Sequence, residues 1–280
     1  MTKAALITLN SSDDPVANLA MTTDLIDAAV GRGATFVLTP EVTNCVSTSL
    51  AHQEAVLCTQ GTDPTLRGLR ETAARHRVWL LIGSLALKTD DADGRFANRS
   101  FLIDPAGKIV AKYDKIHMFD VTVSQSESYR ESAGYRPGDK AVVADGPFGR
   151  IGMTICYDLR FPYLYRDLAQ AGAEVLTVPS AFSETTGQAH WHVLLRARAI
   201  ETGSYILAPA QTGLHAEAAG GKRRTYGHSL AVSPWGDVMY DGGEDVGYGI
   251  VEIDPNAAKD ARSRIPSLAH DRSYEGTAHE

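Results

Sequence analysis

The chain has no apolar run long enough to cross a membrane as a helix, and its first apolar stretch, Ala4 to Leu9, is too short for a signal peptide. Cysteine is scarce: three residues, at 45, 58 and 156, an odd count without paired spacing. That argues against a disulfide framework and for a reducing compartment, read here as the cytoplasm. Positive charge is not in excess either. A formal net charge of -7 gives no electrostatic reason to expect nucleic acid or an anionic membrane as partner. Several catalytic signatures are missing. Gly31-Arg32-Gly33 lacks the third glycine of a dinucleotide fingerprint and ends a helix instead of following a strand. There is no Gly-Lys-Ser/Thr phosphate loop, no G-x-S-x-G elbow, no C-x-x-C and no H-E-x-x-H. His190 and His192 stand two apart, diverge on a helix and make a poor metal pair. No metal and no cofactor are expected.

What is present is an ordinary globular composition, 44% hydrophobic and 22% charged, in 280 residues without a composition break. One domain over residues 1–270 with a polar tail at 271–280 is the expected organisation. The chain repeats a phrase: a helix, a glycine that ends it, a short apolar strand, and a proline. Gly33-Ala34-Thr35-Phe36-Val37-Leu38-Thr39-Pro40-Glu41 is answered by Gly172-Ala173-Glu174-Val175-Leu176-Thr177-Val178-Pro179-Ser180, and more loosely by Gly203 to Pro209. Such αβ units predict an α/β fold of layered sheets flanked by helices, with Glu41 and Ser180 at equivalent strand exits. A first helix is expected from Pro15 to about Arg32, with Val16, Leu19, Ala20, Leu25, Ile26 and Ala29 near one stripe. Hairpins are expected at Phe96–Tyr113 and Ser229–Met239, and the polar stretch Met118–Lys140 is long for a plain connection.

The chemistry centres on Cys156. The strand Ile151–Ile155 delivers this thiol to its carboxyl end, where α/β folds collect their ligands, and a helix follows from about Tyr163 to Ala171. A thiol at its free pKa is only a few per cent ionised at pH 7, so it needs a base or a cationic neighbour. Glu41 behind Pro40, Lys115 at the end of a hairpin strand, and Glu131 in the long polar stretch are the candidates. Each by itself reads equally as an ordinary surface charge.

Together they resemble the nitrilase, or carbon–nitrogen hydrolase, superfamily. The resemblance rests on Leu38-Thr39-Pro40-Glu41, Tyr113-Asp114-Lys115-Ile116-His117, Glu131-Ser132 before Pro137-Gly138, and Ile155-Cys156-Tyr157-Asp158-Leu159-Arg160-Phe161-Pro162, in that order along the chain. Phe119-Asp120-Val121, Pro179-Ser180-Ala181-Phe182, His190-Trp191, Leu195 to Thr202 and Tyr226-Gly227-His228-Ser229 are similar to the Nit branch of amidases, which includes amidases of deaminated glutathione and of 2-oxo acid ω-amides. Leu9-Asn10, Val42-Thr43-Asn44-Cys45 and the loop from Ser124 to Tyr129 depart from that pattern and bear on the choice of substrate.

The resemblance implies a four-layer αββα sandwich that pairs as a homodimer or higher homo-oligomer. It implies an amidase that cleaves the C–N bond of a small carboxylate-bearing amide through a thioester and releases ammonia. Glu41 would be the base, Lys115 and the Tyr157 backbone N–H the oxyanion donors, and Glu131 the group holding Lys115. For substrate binding the expected residues are Arg160, as the cation for an acidic substrate, with Phe182, Thr186 and His190. The alternatives are a hydrolase of N-carbamoyl acids or other linear amides, a non-catalytic interaction module of the same fold, and a redox-sensing cysteine protein.

Overall fold

A computed structural model of the chain describes residues 2–123, 127–218 and 223–276. Of the segments singled out above, Ser124–Ser126 of the divergent loop and residues 277–280 of the tail lie outside the described residues. The first half supplies β1 (Thr2–Thr8), α1 (Pro15–Gly31), β2 (Phe36–Leu38), α2 (Leu50–Val56), α3 (Pro64–His76), β3 (Trp79–Leu87), β4 (Ala97–Ile103) and β5 (Ile109–Asp114). A short ribbon of β6 (Asp120–Thr122) and β7 (Ser128–Arg130) follows. Next come β8 (Val142–Gly146), β9 (Gly149–Met153), α4 (Pro162–Gln170), β10 (Val175–Thr177), α5 (Glu184–Thr202) and β11 (Tyr205–Ala208). A second ribbon, β12 (Thr212–Leu214) with β13 (Arg224–Tyr226), precedes β14 (Leu230–Val232), β15 (Val238–Asp241), β16 (Gly247–Ile253) and α6 (Ala257–Arg264).

Twelve of these strands make two six-stranded sheets, ordered β16-β1-β2-β3-β4-β5 and β15-β14-β11-β10-β9-β8. Within each, the central strands run parallel and the outer ones antiparallel. Side chains alternate across a strand, and β1 shows what that does here. Ala5 and Ile7 pack with Ile26 of α1 and Leu69 of α3, whereas Ala4 and Leu6 join Met153, Val175 and Leu207 of the second sheet. Trp191 and Leu195 of α5 and Leu164 and Leu168 of α4 close the far side of that second sheet. The layers are therefore helix, sheet, sheet, helix, as an αββα sandwich requires.

Sequence periodicity placed Leu19, Leu25, Ile26 and Ala29 of α1 against the core but misjudged Val16 and Ala20. Val16 is 75% exposed, and the buried positions are Asn18, Thr22, Ile26 and Ala29. Two of them are polar and satisfied: the Asn18 amide donates to the loop carbonyls of Ser12 and Asn44, at 2.8 Å each, and the Thr22 hydroxyl to the Asn18 carbonyl at 2.7 Å. The helix starts where Asp14 caps it, accepting from the N–H groups of Val16 and Ala17. The repeated phrase is borne out. Thr39-Pro40 and Pro179 leave β2 and β10 toward the seam between the sheets, and Gly83 of β3 lies against both. A Cβ on Gly83 would stand 1.9 Å from the Thr39 carbonyl oxygen and 2.6 Å from the Pro179 ring, so no other residue fits.

Candidate active site

Four strand exits converge at this seam. Glu41 follows β2, Lys115 follows β5, Cys156 lies just past β9, and Glu131 opens a 3₁₀ turn after β7. The Ala181 N–H, beyond β10, donates to Glu41 Oε2 at 2.7 Å, so the two equivalent exits meet at the carboxylate. Cys156 has a φ of 49°, and Val42, next to Glu41, a φ of 47°. Non-glycine residues in this left-handed region cost on the order of 1–3 kcal/mol and persist where the surroundings over-determine them. Around Cys156 they do: its N–H donates to the Pro179 carbonyl at 3.0 Å, and Asp158, two residues on, is fully buried. The Asp158 carboxylate accepts from the Tyr113 hydroxyl (2.6 Å), the Ile155 N–H (2.9 Å) and the His117 N–H (3.0 Å). It thereby ties the bend at Cys156 to the segment that carries Lys115. The bend leaves the Tyr157 N–H in the first turn of a 3₁₀ helix, with no acceptor among the described residues.

Lys115 is 2% exposed and lies between the two carboxylates, 2.9 Å from Glu41 Oε1 and 2.9 and 2.8 Å from the Glu131 oxygens. The Phe119 N–H fixes Glu131 Oε2 at 2.6 Å. Burial would lift the Glu41 carboxyl, but the adjoining Lys115 ammonium outweighs it and holds the group below the ordinary carboxylate range. Burial would likewise lower Lys115; the charges of Glu131 and Glu41 reverse that and raise it well above a free lysine. The Cys156 thiol is pushed up, by burial first and by the Glu41 charge second. Unperturbed by substrate, the cluster is carboxylate, ammonium and neutral thiol.

These groups lie on a cavity of about 350 Å³ that also takes in Phe182 and Thr186, two of the four expected substrate-binding residues. Thr186 Oγ1 is buried there without a hydrogen-bond partner among the described residues. The other two are placed differently. Arg160 is not on the cavity wall and does not pair with Asp158; its guanidinium lies 5.4 Å over the Phe182 ring and 3.3 Å from His190 Nδ1. The 3₁₀ turn that aims Cys156 inward carries Arg160 away. His190 is exposed on α5, and its neighbour Trp191 is core, donating to the His228 carbonyl.

Two cavity residues carried no sequence signal. Asn98 of β4, in the triplet Asn98-Arg99-Ser100, lies in none of the motifs quoted above. It is 2% exposed, and its amide nitrogen donates to Glu41 Oε1 at 2.8 Å and reaches Glu131 Oε1 at 3.4 Å. Arg223 lies in none of the motifs quoted above, yet it lines the cavity. Away from the cavity, His192 pairs not with His190 but with Asp241, which also takes His228; their ligand atoms lie within 4.8 Å of one another.

A sequence profile of the carbon-nitrogen hydrolase family matches residues 3–263. The deaminated glutathione amidase of Yersinia enterocolitica is 40% identical over 270 residues, covering 96% of this chain and 92% of that one. The deaminated glutathione amidase of Synechocystis sp. is also 40% identical, over 95% and 97%. Among solved structures, the C. elegans NitFhit protein superposes with a TM-score of 0.89 at 34% identity, over 97% of this chain and 65% of that longer one. Nit3 of Saccharomyces cerevisiae, a member of branch 10 of the nitrilase superfamily, gives a TM-score of 0.82 at 28% identity, over 95% and 94%. In sequence and in fold, from β1 to α6, the chain belongs to the carbon–nitrogen hydrolase family.

Proposed function

We propose that this chain is an amidase for small carboxylate-bearing amides, with deaminated glutathione or an ω-amide of a 2-oxo acid as substrate, acting through a thioester on Cys156. One observation carries the proposal. Lys115 lies 2.8–2.9 Å from both Glu41 and Glu131 on the cavity that Cys156 lines, an arrangement that favours an ionised Glu41 and a charged Lys115 while burial favours the neutral thiol. Glu41 is then the proton acceptor and Cys156 the donor. Transfer between a lowered carboxyl and a raised thiol is uphill, so it accompanies C–S bond formation. As Glu41 becomes neutral, the attraction of Lys115 for it is lost and is replaced by attraction to the new oxyanion. Such an interaction strengthens in the transition state and so accelerates the reaction. The Tyr157 N–H is the second oxyanion donor, while Glu131 keeps Lys115 in place.

Glu41 returns its proton to the departing nitrogen as the C–N bond breaks. It then takes a proton from water, whose oxygen attacks the thioester carbon; the C–S bond breaks and the proton returns to sulfur. A primary ω-amide releases ammonia by this route, whereas a secondary amide such as those in deaminated glutathione releases an amine. The direct test incubates the enzyme with both substrates and measures ammonia and primary amine separately, with Cys156→Ala as control. Turnover by Cys156→Ala well above background would sink the assignment.

We also take residues 1–270 as one catalytic unit; in the tail, Asp271 reaches back to Gln170 and Arg166. For the assembly we propose a homodimer through α5. Val193 and Ile200 on that helix are 68% and 55% exposed, and Trp235 and Val238 extend the apolar face. A reducing compartment, the cytoplasm, is in keeping with three unpaired cysteines.

A further inference from the structure

The cavity does not end at the nucleophile. At Thr48, Ser128, Tyr129 and Arg223 it shares a wall with a second cleft of about 320 Å³. Exposure rises along this line. Glu41, Cys45 and Cys156 are buried in the inner cavity, whereas Thr48, Ser128 and the outer Thr185 and Arg224 are exposed. The second cleft therefore lies toward solvent from the buried end of the first, although exposed Leu50, Arg130 and Ala133 mark another open stretch of the first cavity.

The charges of the outer cleft are mostly spoken for. Arg224 is held by Glu184 at two points, 2.9 and 3.2 Å. Glu127 accepts from the hydroxyls of Ser183 (2.6 Å), Thr185 (2.9 Å) and Tyr129 (3.0 Å). In the inner cavity Lys115 is shared by two carboxylates, and Arg130 gives one nitrogen to the carbonyls of Val121 and Tyr129. Arg223, at the junction, has no carboxylate partner among the described residues. Its Nη2 donates to the Ala181 carbonyl at 3.2 Å, and its guanidinium lies 6.0 Å from the Tyr129 ring centre. That leaves most of its five donors for a ligand.

A thioester route imposes an order on the two products. The amine must leave before water reaches the acyl-enzyme. An amine half on the solvent side can go while the acyl group stays on Cys156; the opposite placement would trap it behind the acyl group. Resting on the amidase reading above, we infer that the outer cleft binds the amine half of the substrate and that Arg223 pairs with a carboxylate on that half. The substrate class is then an N-acylated amino acid or short peptide with a free carboxylate, its compact acyl group in the inner cavity.

The test compares kcat/KM, by amine release, for deaminated glutathione and for its glycine methyl ester. The wild-type enzyme should prefer the free acid by about ten- to a hundredfold, as a hydrogen-bonded charge pair gives. In Arg223→Gln the preference should fall to within about twofold. Arg223 also helps to hold Glu41 ionised, so both substrates will slow in this variant, and the ratio removes that shared effect. Arg223→Lys, which keeps the charge, should retain a preference of at least about fivefold and guards against a folding defect in the glutamine variant. An unchanged ratio in Arg223→Gln, or no preference in the wild type, would overturn the inference while leaving the amidase reading intact. A wild-type enzyme that hydrolyses neither compound but releases ammonia from a 2-oxo acid ω-amide would overturn the inference alone, and one that hydrolyses none of the three would overturn both.

Discussion

Replacing Lys115 by Gln tests the charge arrangement at the centre of this site. Lys115 contacts Glu41 and both oxygens of Glu131 within 2.9 Å and is 2% exposed. The glutamine leaves two carboxylates facing each other with no cation between them. Losing one partner of a buried ion pair costs about 3–5 kcal/mol. At about 2–4 °C per kcal/mol for a chain near this size, Tm at pH 7 should fall by roughly 6–20 °C. The pH dependence carries the sharper information. In the wild type the folded Glu41 carboxyl lies below its ordinary 4.5, so it contributes stability that is present above that value and lost as pH falls through the folded pKa. Without Lys115, burial dominates and the folded pKa rises above 4.5. Glu41 then destabilises the fold at neutral pH, and the penalty is relieved as acid protonates it. Calorimetry of both proteins from pH 8 down to pH 5 should show a Tm gap that is widest at the alkaline end and narrows toward pH 5. The kcat should drop at least about a hundredfold with the loss of one oxyanion donor. A Tm gap independent of pH, or a kcat within tenfold of wild type, would refute the reasoning.

Four further outcomes follow. Alkylation of Cys156 by iodoacetamide should be slow at pH 7 and still rising with pH beyond 9, because burial and the Glu41 charge hold the thiol protonated; a plateau below pH 8 would contradict this. Glu41→Gln removes that charge and should speed alkylation at pH 8 while abolishing turnover. Gly83→Ala drives a methyl group into the Thr39 and Pro40 carbonyls where two strand exits meet, and it should cost at least about 3 kcal/mol by urea unfolding; a loss below 1 kcal/mol would mean the exits are not closely packed. The pair Val193→Glu with Ile200→Glu should convert a dimer to a monomer in light scattering without changing the helical signal of the fold, and an unchanged mass would place the interface elsewhere.

Local patterns reached most of the scaffold and part of the site. The helix–glycine–strand–proline phrase located β2 and β10 and put Glu41 at a strand exit, because each signal in it acts over a few residues. It did not reach α2, the ribbons β6–β7 and β12–β13, or the edge strand β8, all short and part-exposed, with little periodic burial to read. On α1 the pattern missed Asn18 and Thr22, which are buried because their polar groups bond loop and helix carbonyls, not because they avoid water. Arg160 was expected in the pocket from its closeness to Cys156 along the chain. A single 3₁₀ turn sends the two side chains in different directions.

By itself the sequence determined the α/β class and the strand exits, and it singled out Glu41, Lys115, Glu131 and Cys156 as a set, since their four short motifs stand in the order of a known family. Only the tertiary structure decided how those groups titrate and what surrounds them. The neutral thiol beside an ionised carboxylate, the Asn98 amide between two glutamates, and Arg223 at the cavity junction all arise from contacts between segments far apart in the chain. The physical reason is that a pKa or a binding preference depends on burial and on charges a few ångströms away, and neither is a property of neighbouring letters.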